Sequence, residues 1–334
     1  MRRVLRQWVD PFIVALVGVL LFGLLVPLPD AALRVIGVAG HVAVALLFLL
    51  YGARLSTREV WAGLRHWRLQ GGILASTFVL FPLVGMTVGN LVEPWVGAGF
   101  AVGIQYLSLL PSTVQSSVAF VSVARGNVAG AICGATVSNV LGMLLTPLLV
   151  LWLLADVVDG GAGIAGVGLS RLGDVLLGLL APFVVGQLLQ PWVGGWVRAH
   201  RPLTLAVDRG TILLVVLGAV ASATAAGTWR GISPWAVVAL LGVCAVILGV
   251  VLASTWWGGR ALGLNIPDRI ALLQCGATKS LATGLPMAGV LLPAAVLGSV
   301  VVPVVLFHQL QLMVCSVLAR HMAVRESRSP SRSA

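Results

Sequence analysis

The chain has 334 residues, 59% of them hydrophobic and only 9% charged, and its mean hydropathy is +1.05. That balance excludes a pair of ordinary soluble domains. Apolar runs of span length recur from end to end and the short alternation of a β-barrel is absent, so the chain reads as an all-α polytopic membrane protein. The net charge of +11 comes from basic residues scattered through the connections, with no aromatic-interleaved patch, and it reads as a topology signal with no nucleic-acid partner.

Residues 1–32 imitate a secretory signal, with arginines, an apolar core and then small residues. The apolar run is long for a signal and further spans follow, so we read it as a retained first helix. Ten spans are predicted, over 11–27, 35–51, 69–90, 96–125, 128–154, 172–190, 210–226, 234–257, 270–292 and 295–318. The fourth is interrupted at Pro111 and the ninth near Lys279. The connections leave no room for a soluble domain, and residues 321–334, rich in Arg, Ser and Pro at their end, are expected to form a disordered cytoplasmic tail. Cys133, Cys244, Cys275 and Cys315 fall within apolar runs without metal-ligand spacing and read as buried thiols.

The basic residues settle the expected orientation. Seventeen arginines fall at the two chain ends and in the connections on their side, whereas Arg34, Arg171 and Arg230 are the three on the other side, so both termini are predicted to be cytoplasmic in a cell (plasma) membrane protein. Five spans per half is an odd number, so any repeat is inverted. Asp10 and Asp174 are 164 residues apart, Pro27 and Pro191 likewise 164, and Thr113 and Thr278 are 165 apart. These offsets predict a first five-helix repeat over 1–155 and a second, inverted one over 156–320, each supplying one broken helix.

The two interruptions carry the chemistry. The first reads Leu110-Pro111-Ser112-Thr113-Val114-Gln115-Ser116-Ser117. The second reads Gln274-Cys275-Gly276-Ala277-Thr278-Lys279-Ser280-Leu281-Ala282-Thr283-Gly284-Leu285-Pro286 and holds the chain's one lysine. An unwound turn in lipid leaves backbone groups that must find partners, and it offers carbonyls to cations and half-helix N-termini to anions. Isolated hydroxyls of this kind commonly serve helix packing. Two matched clusters with a proline and a lysine point instead to a binding site. Its candidate residues are Ser112, Thr113, Gln115, Ser116, Ser117, Asn139, Gln274, Thr278, Lys279, Ser280 and Gln311. A charge at bilayer depth costs about 2.5–3.5 kcal/mol, which makes Lys279 the sharpest of them. Thr136, Asn139, Met143 and Thr146 share one helical face, and His308, Gln311 and Cys315 another; cavity lining and interhelical bonding fit both stripes. His41 reads as an interface histidine.

These residues resemble a known family. The stretch from Leu110, with its Pro and hydroxyl cluster, Ala124-Arg125-Gly126-Asn127 and the closing Leu145-Thr146-Pro147-Leu148, is similar to the fourth and fifth helices of the bile acid:sodium symporter superfamily. The run from Cys275 to Pro286 resembles its "cotransporter 7-like" branch. The resemblance implies ten spans in a core and a panel domain, with crossed broken helices four and nine in the core, and a secondary transporter coupled to sodium. The implied sodium donors here are Ser116, Ser117, Gln274 and Thr278. The departures weigh against coupling. Members that carry bile acids have a sodium-ligating Glu at the place of Gln274, an amide at the place of Lys279, and two hydroxyls where this chain has Ala131 and Ala135. Sodium dependence is therefore expected to be weak or absent.

The sequence thus predicts a secondary active transporter of a small organic anion working by alternating access, with membrane lipid and the anion as partners and no cofactor beyond a candidate sodium ion. The alternatives are a sodium-independent transporter with Lys279 as resident cation, and a channel or non-transporting regulatory membrane protein. No H-E-x-x-H, G-x-S-x-G or paired intramembrane carboxylate supports an enzyme. Substrate, direction of transport and oligomeric state are not legible. Lacking a carboxylate nearby, the ammonium has three expected fates: loss of its proton, capture by carbonyls at the C-terminal end of a half-helix, or pairing with an anionic substrate in a wet cavity.

Overall fold

The computed structural model describes residues 11–54, 66–159, 169–229 and 234–327, and among these every regular element is helical. The elements are α1 (Pro11–Leu25), α2 (Asp30–Arg54), α3 (Trp67–Val96), α4 (Ala98–Ser108), α5 (Gln115–Val123), α6 (Val128–Leu153) and α7 (Ala155–Asp159). They continue with α8 (Leu169–Ala199), α9 (Arg201–Ala225), α10 (Pro234–Ala261), α11 (Ile266–Gly276), α12 (Leu281–Leu291) and α13 (Ala294–Ser327).

Among the described residues, seven helices are long and apolar enough to cross a membrane: α2, α3, α6, α9 and the greater parts of α8, α10 and α13. Their surfaces fit lipid as solvent. On α2, Val35, Val38 and Val42 form one helical stripe and are 68%, 67% and 64% exposed, a placement that water would penalise. The protein is a multi-pass membrane protein. Several helices run past the predicted ends: α8 reaches Ala199 against a predicted 190, and α9 begins at Arg201 against a predicted 210. Residues 321–327 continue α13, because Met322, Ala323, Arg325 and Glu326 are good helix formers, so the expected disordered tail does not begin at 321. Residues 328–334, Asp10 and Arg230 lie outside the described residues.

The helices form two compact units, each drawn from both halves of the sequence. One takes the described parts of 1–55, 150–233 and 285–302. It is organised by α2 and α8, whose backbones touch: a Cβ on Gly52 would lie 2.0 Å from the Phe183 carbonyl oxygen, and one on Gly186 2.0 Å from that of Leu49. Small residues set this approach, as membrane helices without a hydrophobic drive require. In the same unit, Thr224 Oγ1 donates to Gly23 O at 2.8 Å and ties α9 to α1.

The other unit takes the described parts of 56–149, 234–284 and 303–334 and contains both predicted interruptions. Pro111 has no N–H to extend α4, which closes in tight bonds from Leu109 N–H to Tyr106 O (3.0 Å) and Leu110 N–H to Leu107 O (3.3 Å). α11 stops at Gly276, and the chain resumes as α12, where Ser280 Oγ accepts the Thr283 N–H at 3.3 Å. α5 ends with Arg125 in the left-handed region (φ 57°) and Gly126 N–H on Val121 O at 2.8 Å. Glycine is needed at 126 for space, since a Cβ there would lie 2.6 Å from Ile270 Cγ2. Asn127 then caps α6 through Gly130 N–H (2.8 Å) and holds Asp268 on α11 through Nδ2 (2.7 Å). His66 reaches the other oxygen of Asp268 at 3.1 Å, so the entries to α3, α6 and α11 are tied together.

Candidate functional site

The two interruptions are hydrogen-bonded to each other, and several main-chain carbonyls in and beside them find partners. In the first, Leu109 O accepts from Thr146 Oγ1 (2.8 Å), Pro111 O from the Ser280 N–H (2.8 Å) and Ser112 O from Asn139 Nδ2. In the second, Cys275 O accepts from Ser112 Oγ (2.5 Å), Gly276 O from Ser76 Oγ (2.8 Å) and Gly284 O from the Tyr106 hydroxyl (2.7 Å). Thr113 Oγ1 donates to Lys279 O at 2.9 Å. Lipid would satisfy none of these groups, so each crossing bond offsets a penalty of several kcal/mol, by the roughly known cost of bare polar backbone in hydrocarbon.

Lys279 completes this accounting. It is 2% exposed, and its ammonium donates to Thr77 O (2.9 Å), Ser108 O (2.8 Å) and Leu110 O (2.6 Å), with the Phe81 ring centroid 4.2 Å away. Three donors meet three carbonyls, which is the full capacity of a protonated amine. Two of the acceptors come from the end of α4, where the last carbonyls and the negative pole of the helix face the cation. The third is freed by sequence. Pro82 has no N–H, the neighbouring turn Ser76–Leu80 widens to i→i+5 spacing, and Phe81 N–H goes to Ser76 O. Thr77 O thereby loses its helical donor and turns to Lys279.

The main chain of Lys279 is held as firmly. Gln311 on α13 accepts its N–H through Oε1 and donates to its carbonyl through Nε2, both at 2.8 Å, while the same Nε2 lies 2.9 Å from His308 Nδ1. Both polar stripes therefore serve the interruptions. Ser138, Asn139 and Thr146 on α6 hold the first, since the Ser112 N–H donates to Ser138 Oγ at 3.1 Å; His308 and Gln311 hold the second. Cys315 is buried beyond them, and His41 bonds only within its own helix, to Gly37 O at 2.8 Å.

Of the predicted residues, Ser112, Thr113, Ser117, Asn139, Thr278, Lys279, Ser280 and Gln311 are brought together in this network. Gln115 stands apart, exposed at the start of α5. Ser116 Oγ and both polar atoms of Gln274 are buried without a hydrogen-bond partner. As a sodium site, the implied set of Ser116, Ser117, Gln274 and Thr278 fits poorly. The hydroxyls of Ser117 and Thr278 bond each other at 2.7 Å, Thr278 Oγ1 donates to Gln274 O at 2.9 Å, and Gln274 brings no charge. Ala131 and Ala135 stand in a buried apolar cluster with Cys275. Among the described residues no group of three His, Cys, Asp or Glu side chains could hold a metal ion.

The sequence reading missed Ser76, Thr77, Phe81, Tyr106, Ser108 and Leu110. Four of these act through the main chain or through a bare ring, which residue type does not announce; Pro82 inside a span was the available signal.

Comparison with known proteins bears on what such a site serves. The model of the SBF-like CPA transporter family matches residues 10–324. The chain is 44% identical over 319 residues to "Uncharacterized protein PA2026" of Pseudomonas aeruginosa, covering 95% of this chain and 93% of that protein. It is 40% identical over 315 residues to "Putative symporter YfeH" of Escherichia coli, covering 93% and 92%. It is 25% identical over 282 residues to "Sodium/bile acid cotransporter 7" of Mus musculus, covering 83% and 81%.

Proposed function

The chain belongs to the SBF-like CPA transporter family, and from that premise we propose that it carries a small organic anion by alternating access, with the Lys279 ammonium as its resident cation. The observation that carries this reading is the cage of Thr77, Ser108 and Leu110 carbonyls around a buried lysine at the crossing of two broken helices. A fixed cation and two half-helix N-termini favour an anion as cargo. The name of one relative, a sodium/bile acid cotransporter, supports that substrate class.

The same reading takes the chain across the membrane ten times. The short α1 and the two broken segments count as crossings beside the seven long helices. They form inverted repeats over 1–155 and 156–320, in the plasma membrane with both termini cytoplasmic. The arginine distribution and the repeat offsets support it. Labelling of a cysteine placed within 156–170 from the cytoplasmic side would overturn the topology.

A second reading, sodium coupling, is favoured by the buried, unbonded amide of Gln274. Flux separates the two. A thermal-shift screen of small organic anions on the purified protein supplies a substrate, because a ligand raises apparent stability with its affinity. Its counterflow in proteoliposomes should saturate and should persist when sodium is replaced by a large organic cation. Collapse on replacement establishes the second reading; flux that never saturates indicates a pore.

A further inference from the structure

Gln311 fixes more than the main chain of Lys279. Its amide faces a peptide N–H with Oε1 and the carbonyl of the same residue with Nε2, so its orientation admits no exchange of oxygen and nitrogen. One hydrogen of Nε2 goes to Lys279 O, and the other points to His308 Nδ1 at 2.9 Å. Nδ1 must therefore be the acceptor, and the imidazole is the neutral tautomer with its proton on Nε2. The ring is only part-buried and lies three residues before Gln311 on one face of α13.

We propose that His308 is a proton-binding site coupled to the Lys279 cage, because a proton on Nδ1 and the grip of Gln311 on Lys279 exclude each other. An imidazolium donates from both nitrogens, so Nδ1–H would meet Nε2–H of Gln311 head-on and compete with it for the Lys279 carbonyl, which is within reach of the ring. The amide cannot turn to accept it without setting Nε2 against the Lys279 N–H. Proton uptake thus releases Gln311 and loosens the chain between α11 and α12. The charged group facing this pair from the interruption is Lys279, whose ammonium is turned away to Thr77, Ser108 and Leu110. The residue before His308, Phe307, packs on the Phe81 ring of α3 at 5.9 Å. On α13 itself the next titratable side chain on this face is the buried Cys315. Among the described residues no ion pair or hydrogen bond brings a carboxylate to His308. The inference extends the reading of Lys279 as resident cation: the lysine stays, and the proton is the cation that comes and goes.

Hydrogen exchange of the Lys279 amide tests it in the purified full-length protein, without substrate or flux. In the wild type, protection corrected for intrinsic rate should fall about tenfold or more between about pH 8 and about pH 4, as expected when a buried hydrogen bond of ordinary strength opens. His308→Asn keeps an acceptor at the δ position and cannot take a proton there, so its protection should stay flat. Wild-type protection that is flat over this range, or that falls equally in His308→Asn, overturns the proposal. Nitrogen-15 NMR of histidine-labelled wild type at the alkaline end is an independent test: the His308 signal should show a bare Nδ1, and a protonated one overturns the proposal even if the variant fails to fold. Either failure leaves the resident-cation reading to be judged by its own sodium-replacement flux.

Discussion

Replacing Lys279 with alanine removes the ammonium and leaves three buried acceptors behind. Ser108 O and Leu110 O sit at the end of α4, where no further helical N–H can reach them, and Thr77 O is kept from its helical donor by Pro82. A buried carbonyl left unbonded costs about 1–3 kcal/mol, so three together would cost roughly 3–9 kcal/mol if nothing relaxed. Water entering the space left by the side chain lowers that, and the value observed for breaking a buried charged contact, about 3–5 kcal/mol, is the better expectation. The lost contact with Phe81 adds about 0.5–2 kcal/mol. The total is a large share of the roughly 5–15 kcal/mol that holds a typical fold together.

Sodium gives this perturbation its distinctive signature. Three carbonyl oxygens at the negative pole of a half-helix suit a hard monovalent cation as well as they suit an ammonium. Sodium should therefore stabilise Lys279→Ala progressively, by about 1.4 kcal/mol at roughly tenfold excess over its dissociation constant, and leave the wild type unmoved. Thermal unfolding in detergent, titrated with sodium against a large organic cation at constant ionic strength, reads both effects. Lys279→Arg should fail to recover, since a planar fork cannot place three donors on three converging carbonyls. A Lys279→Ala protein within about 1 kcal/mol of wild type, transporting normally, would refute the cage as a functional element.

Three other outcomes follow from the same geometry. Gln274→Glu buries a carboxylate where neither amide atom has a partner, so the variant should acquire sodium-dependent thermal stabilisation; indifference to sodium would show that the position cannot be made a cation site. Pro82→Ala restores an N–H, lets the widened turn close and returns Thr77 O to its helix. Flux should fall while stability, read by thermal unfolding, stays within about 1 kcal/mol, because a lost ammonium bond and a gained helical one roughly offset. Gly186→Ala drives a methyl to 2.0 Å from the Leu49 carbonyl oxygen, and should destabilise by about 3 kcal/mol or more in a thermal melt; a loss below about 1 kcal/mol would disprove the close contact of α2 and α8.

What was legible in the sequence is what is out of place in a lipid-embedded helix. Pro111 and Gly276 mark the ends of α4 and α11, and Lys279 stands out because charge at that depth demands a reason. Asn139, Thr146 and Gln311 were visible as polar stripes, yet their task, capping carbonyls of the interruptions, needed the three-dimensional path of the chain. The cage was hidden for a different reason. Every residue carries a carbonyl, so nothing in the letters Thr77, Ser108 or Leu110 announces an acceptor. The membership of each compact unit was equally hidden, because helices apolar on all sides carry no stripe that names a neighbour. Gln115 was grouped with the site on proximity in sequence alone, and the first turn of α5 carries it to the exposed side.

The pairing of Gln274 with Lys279 has an energetic consequence of its own. A sodium ion held by a carboxylate does work on a substrate because it leaves on the other side of the membrane, down its gradient. An ammonium on a covalent stem fills the same electrostatic need and can never leave. On the resident-cation reading proposed above, a chain with an amide at 274 and a lysine at 279 keeps its two interruptions cationic throughout the cycle, and gives up sodium as a source of work. Accumulation of an anion must then draw on the gradient of the anion itself, or on a proton taken up beside the cage. Among the described residues, His308 is the one titratable side chain that hydrogen-bonds the residue gripping Lys279. In sodium-free proteoliposomes, a pH gradient should therefore shift the steady-state distribution of the anion, an opposing sodium gradient should not, and His308→Asn should abolish the shift.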